Sequence, residues 1–154
     1  MNKTLAILSL LIPLQSLADF VGFTEKSYSN GQYLRTHFTE TDRSQFHIGC
    51  GRGSDHKTFN FVGVKHSSLY DWDGDTNIEV SVDRGKTSSI KGWSNRYDDM
   101  FYSSDSATLL IREMLLGKLV GVSVLDGDEK IYFSLRGIED AYTTLKDKCD
   151  FSEG

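Results

Sequence analysis

No run of apolar residues in this chain is long enough to cross a bilayer as a permanent span, and hydrophobicity is too high, and net charge too low, for disorder. Those two absences exclude a polytopic membrane protein and an unfolded chain. Cysteine is scarce at two residues and proline scarcer at one, in 154 residues of which 38% are hydrophobic and 25% charged. This is the composition of an ordinary globular domain, and one domain is the default at this length. Positive charge is in deficit: 17 Lys and Arg face 22 Asp and Glu, for a formal net charge of −5. An acidic chain is a poor partner for nucleic acid. No internal repeat, linker or low-complexity tract divides the sequence, and its 14 glycines are scattered as turn residues.

The motifs of the common reaction classes are missing too. His37, His47, His56 and His66 form neither the helical i, i+4 pair of zincins nor a clustered ligand set. His37 and His47 fall in expected strands and read as ordinary surface or edge side chains. There is no Gly-x-Ser-x-Gly elbow, and Gly51-Arg52-Gly53-Ser54 lacks the Gly-Lys-Ser/Thr end of a phosphate loop. Asp98-Asp99 and Asp126-Gly127-Asp128-Glu129 supply carboxylates, but neighbours on a turn usually face water, whereas a catalytic pair needs a cleft. Asp71 to Glu79 invites comparison with a calcium loop. With Asp71 as the first ligand, however, Thr76 stands where the sharp turn needs Gly, and Val82 where the bidentate Glu belongs. The segment reads as a solvated acidic turn, with a weak calcium site of another kind as the alternative. The expectation is no catalytic residue, no metal and no cofactor.

What is present begins with an address. Asn2, Lys3 and Thr4 precede an apolar stretch from Leu5 to Leu14, and Ser16-Leu17-Ala18 puts small residues where signal peptidase needs them. Cleavage after Ala18 is expected, making residues 1–18 a signal peptide and residues 19–154 one exported domain without a stable membrane anchor. An uncleaved anchor is the alternative, and the apolar stretch is short for it. Export predicts the periplasm and lets Cys50 and Cys149, the only two cysteines, form one disulfide. Two buried free thiols are the alternative reading. A metal site lacks a second Cys or His at ligand spacing.

Periodicity gives the architecture. Ser29-Asn30-Gly31 is a turn signal, and after it Tyr33 to Thr39 alternates as a strand with two unlike faces. Phe46 to Cys50, Phe59 to Lys65 and Asn77 to Val82 are further β-type runs, the last two joined by a segment containing Asp73-Gly74 in which a hairpin is the simplest connection. A weaker strand ends near Trp93. Ser104 or Asp105 then caps a helix carrying Leu109, Leu110, Ile111, Met114 and Leu115, and Gly117 ends it. Leu119 to Leu125, Asp126-Gly127 and Lys130 to Leu135 read as strand, tight turn, strand. After Gly137, Ile138, Ala141, Tyr142, Leu145 and Cys149 share one helix face. The fold class predicted is α+β, a mainly antiparallel, sandwich-like sheet with two helices in the C-terminal half.

The run Asp83, Trp93-Ser94, Met114-Leu115-Leu116-Gly117, a Val-rich strand, Phe133-Ser134-Leu135-Arg136-Gly137-Ile138, Ala141, Leu145 and Cys149 resembles the VasI/TagO accessory proteins associated with type VI secretion. Those end in a similar Phe-x-Leu-x-Gly-Leu, Ala, Leu, Cys pattern and carry an earlier Cys at a strand end, a place Cys50 fits. The likeness covers about Cys50 to Cys149. The family's extra N-terminal cysteine-containing segment is missing, and its Cys-x-Trp terminus is Cys149-Asp150-Phe151 here. The resemblance implies an envelope accessory protein without established catalysis.

The function expected is therefore non-enzymatic: a periplasmic interaction protein binding a protein partner in the bacterial envelope. The runner-up is an exported phage- or plasmid-type inhibitor or exclusion factor, for example against a lysozyme-like enzyme, since a small acidic domain suits capture of basic enzymes. A hydrolase with a cryptic site is the third class. The partner surface is expected at Tyr70, Asp71, Trp72 and Asp73, where a hairpin tip holds an aromatic partly in water. The competing reading folds Trp72 back over the sheet end.

Overall fold

The computed structural model describes residues 19–20, 22–69, 72–96, 99–124 and 130–151. Nine strands form one antiparallel sheet: β1 (Gly22–Ser27), β2 (Tyr33–Thr41), β3 (Ser44–Arg52), β4 (Thr58–Lys65), β5 (Gly74–Val82), β6 (Ser88–Asn95), β7 (Met100–Ser103), β8 (Leu119–Val124) and β9 (Ile131–Ser134). The spatial order is β1-β2-β3-β4-β7-β6-β5-β8-β9, with helix α1 (Ala107–Leu115) between β7 and β8 and helix α2 (Ile138–Lys146) after β9. The α+β class read from the sequence is the class observed, with both helices in the C-terminal half.

Alternation divides the sheet into two faces. Phe46, Ile48 and Cys50 of β3, Val62 and Val64 of β4, Ile78 and Val80 of β5, and Val120 and Val122 of β8 point inward into one core with α1 and α2. The sheet bends on itself, so that β9 returns against β2. Phe133 of β9 lies with its ring centroid 5.8 Å from that of Phe46, and this bend gives the predicted sandwich-like character without a second sheet.

Three local expectations are corrected. β4 and β5 are not a hairpin: β4 pairs with β7 and β5 with β6 and β8, because the β5-β6-β7 meander comes back to β4 by its last strand. A turn Ser67–Leu69 with buried Leu69 starts the crossover instead. Helix α1 is capped neither by Ser104 nor by Asp105: Ser106, at φ 53, is its N-cap residue without a side-chain bond, while Ser103 Oγ accepts the Asp105 N–H. Cys149 lies beyond α2, which ends at Lys146. Its N–H still bonds the Leu145 carbonyl at 2.7 Å, so one more tightened turn keeps it on the buried side. Strands β1 and β7, which periodicity did not reveal, complete the sheet.

The resembling residues occupy structural posts. Asp83 Oδ1 accepts the N–H groups of Lys118 and Leu119, at 2.8 and 2.9 Å, and these bonds hold its carboxyl below the ordinary carboxylate range. They fix how the chain enters β8. Gly137 starts α2 at φ 84 against the Phe20 backbone, and Phe133, Ala141 and Leu145 are core. Asp19 pairs with Arg136, and the Phe20 N–H bonds the Arg136 carbonyl.

Candidate functional site

The outward face of β2, β3, β4, β6 and β7 carries a second apolar layer. Its floor is built from missing side chains: a Cβ at Gly49 would come within 2.2 Å of the Arg35 carbonyl oxygen and 3.0 Å of the Phe61 ring, and one at Gly51 within 2.8 Å of Phe59. Phe61 and Phe59 lie over those positions. The Phe61 ring centroid is 6.1 Å from Phe59 and 5.5 Å, edge-on, from Tyr102. Phe61 and Met100 are buried although they lie outside the main core.

His47 sits within this layer, 5% exposed, opposite Gly63 and with its ring centroid 5.0 Å from that of Phe38. The expectation of a surface or edge histidine is wrong, because β3 is a central strand and its outer face is covered. Nδ1 lies 3.1 Å from Thr36 Oγ1 and Nε2 3.0 Å from the Gln45 side-chain oxygen. Burial, then the nearby Lys65 and Lys26 charges, pushes its pKa down to about 3. His47 is neutral and held at both nitrogens, the environment of a structural ring. Burial also lowers His37, which packs its ring 4.9 Å from Phe23.

Two adjoining clefts open on this face. One, of about 190 Å³, is bordered by Lys26, Lys65, Gln45 and His47; the other, of about 300 Å³, by Tyr28, Gln32, Arg52, Phe59, Trp93 and Asn95, and they share Leu34 and Tyr102. Trp93 is 44% and Tyr28 46% exposed. Sequence reasoning gave neither a binding role, because Trp93 stood as a strand end and as part of the resembling run. The missed signal is the Trp93 to Tyr102 pairing, which needs the β6–β7 register to be seen.

Of the predicted partner surface, Tyr70 and Asp71 lie outside the described residues. Trp72 is 43% exposed and Asp73 is exposed, on the connection into β5 rather than on a hairpin tip. The Trp72 N–H bonds the Leu69 carbonyl at 3.0 Å. Asp75 and Glu79 continue in extended β5, where a strand cannot wrap an ion, and among the described residues no three His, Cys, Asp or Glu side chains gather as a metal site. Cys50 and Cys149 are joined in a disulfide across a Cα–Cα distance of 5.7 Å, 99 residues apart, fastening the end of β3 to the turn after α2. No helix among the described residues is long and apolar enough to cross a membrane. No protein-family model, curated protein or solved structure matches the chain.

Proposed function

We propose that this chain is an exported, non-enzymatic accessory domain of the bacterial envelope, similar to the VasI/TagO proteins, whose work is to capture a protein partner. The observation that carries the reading is Trp72, 43% exposed beside exposed Asp73 on the connection before β5. A large indole held partly in water brings much apolar area to a contact with little rotamer freedom to lose. The displaced titratable groups support binding over catalysis, since Asp83 holds backbone amides, Arg136 holds Asp19, and His47 is held by Thr36 and Gln45. Export after Ala18 and a periplasmic site agree with a disulfide-stapled domain whose first residues, Asp19 and Phe20, are tied to Arg136.

Trp72→Ala tests the reading when partner capture from envelope fractions and melting temperature are measured together. Loss of a specific captured protein at unchanged melting temperature is the expected result. A fall of several degrees with capture retained makes Trp72 a packing residue and removes the proposed contact. The net charge of −5 favours one second reading, an exported inhibitor or exclusion factor directed at a basic envelope enzyme. Capture of a lysozyme-like enzyme, weakened by salt, separates that reading from a secretion accessory.

A further inference from the structure

We propose that the outer-face clefts bind a carboxylated N-acetylamino-sugar glycan, the chemistry of a cell-wall strand, as a second binding function separate from partner capture at Trp72. Size argues first. A cleft of about 300 Å³ is at the small-ligand end of binding pockets, typically about 300–1,000 Å³, whereas a stable protein interface needs about 800 Å² from each partner. Chemistry argues second. The cleft sets exposed ring faces, Trp93 and Tyr28, beside Phe59, and flanks them with the planar amides of Gln32 and Asn95. Rings of this kind stack on the C–H faces of sugars, and side-chain amides match acetamido and hydroxyl groups that both donate and accept.

Charge argues third, and it selects the carboxylated member of that class. The chain carries −5 overall, yet among the described residues the linings of the two clefts hold Lys26 and Lys65 and no carboxylate. Lys26 and Lys65 line the smaller cleft from the outer face, and their ammonium groups supply the positive charge that pairs with a carboxylate. Among the described residues, two acids of this face stand outside both linings: Glu40 accepts from Gln45, and Asp75 lies opposite Trp93 on β5. Because the clefts share Leu34 and Tyr102, a linear ligand seated on Trp93 continues toward Lys26 and Lys65.

The test uses the oxidised full domain and the disaccharide of N-acetylglucosamine and N-acetylmuramic acid, with the uncharged N-acetylglucosamine disaccharide and poly-glutamate as comparison probes. Binding is read by intrinsic fluorescence and by calorimetry. The muramic disaccharide should bind most tightly, and Trp93→Ala and Lys65→Gln should each weaken it roughly tenfold at unchanged melting temperature, the loss expected of one anchor. Trp72→Ala should leave it untouched, so failure here and failure of the partner reading are distinguishable. Absence of binding by the intact protein overturns the proposal, as does binding that Trp93→Ala and Lys65→Gln leave unchanged. Equal affinity for both disaccharides overturns the choice of a carboxylated glycan. Displacement by poly-glutamate at matched charge makes the face a site for acidic polypeptide and overturns the glycan assignment.

Discussion

The two faces of this sheet are dry by different means. On the inner face, branched residues of β3, β4, β5 and β8 meet helices α1 and α2, and each strand contributes its side chains to a core shared by the whole domain. On the outer face no helix lies among the described residues; Phe59 and Phe61 lie across Gly49 and Gly51, and the strand backbone itself is the surface they cover. The inner arrangement is the ordinary one and serves stability. The outer one keeps polar groups, among them Thr36 and His47, inside an aromatic layer that ends in exposed Trp93 and Tyr28, so packing and a binding surface share the same residues.

Paired truncations challenge that contrast most strongly. Phe46 of the inner face and Phe61 of the outer face are 0% and 1% exposed, so Phe46→Ala and Phe61→Ala should each cost about 3–5 kcal/mol in urea unfolding. If Phe61→Ala costs less than about 1 kcal/mol, the outer layer is surface and only the inner face is a core.

How legible each face was follows from the same chemistry. Val120, Val122 and Phe133, or Ile138, Ala141 and Leu145, announce their inward side by period alone, and Tyr33 to Thr39 showed its strand in the same way. The outer layer depends on which strand lies beside which: Gly49 pairs with Phe61, and Gly51 with Phe59, only in the observed β3–β4 register. Read along the chain, Gly49 lies inside the Phe46 to Cys50 run and Gly51 opens a glycine-containing connection, and neither pattern says that an aromatic ring lies over it. The hairpin expected at Asp73-Gly74 failed for a related reason, since a turn signal does not say that the strands on either side pair. The short β7 carries too few residues for a period to emerge.

The staple tests the inner face from its rim. Cys149→Ser should destabilise the domain by about 2–5 kcal/mol, because the bond closes a loop of 99 residues in the unfolded chain. Denaturant unfolding of oxidised wild type against the variant measures it. An unchanged midpoint would mean that the end of β3 and the turn after α2 are held without the bond.

Acid should attack the outer face first. The native pKa of His47 is about 3 against an ordinary 6.5, so below pH 6.5 the unfolded chain takes up a proton that the folded chain refuses. The contribution is complete above pH 6.5 and is lost as pH falls toward 3, with a slope of about 1.4 kcal/mol per pH unit from this group. His47→Gln should flatten the stability profile between pH 6 and pH 4 by about that slope. A profile identical to wild type would place the ring in water, contrary to its burial.

The smallest expected effects set one hydroxyl from each face against the other. Thr36 on the outer face is satisfied: its Oγ1 donates to His47 Nδ1 at 3.1 Å, the acceptor left when Nε2–H is given to Gln45, and lies 3.1 Å from the Ile48 carbonyl oxygen. Thr36→Val keeps the shape but removes that donor, leaving a buried ring nitrogen unpaired, and should cost about 1–2 kcal/mol. Ser94 on the inner face, opposite Phe101, is fully buried, and its Oγ has no hydrogen-bond partner among the described residues. Its hydroxyl was desolvated on folding without compensation, so Ser94→Ala should be neutral or stabilise by up to about 1 kcal/mol. The two variants therefore move in opposite directions although both delete one buried hydroxyl. Chemical denaturation of the pair decides it: if Ser94→Ala loses as much as Thr36→Val, the Ser94 hydroxyl has a partner after all, and the inner face is less purely apolar than its side-chain pattern implies.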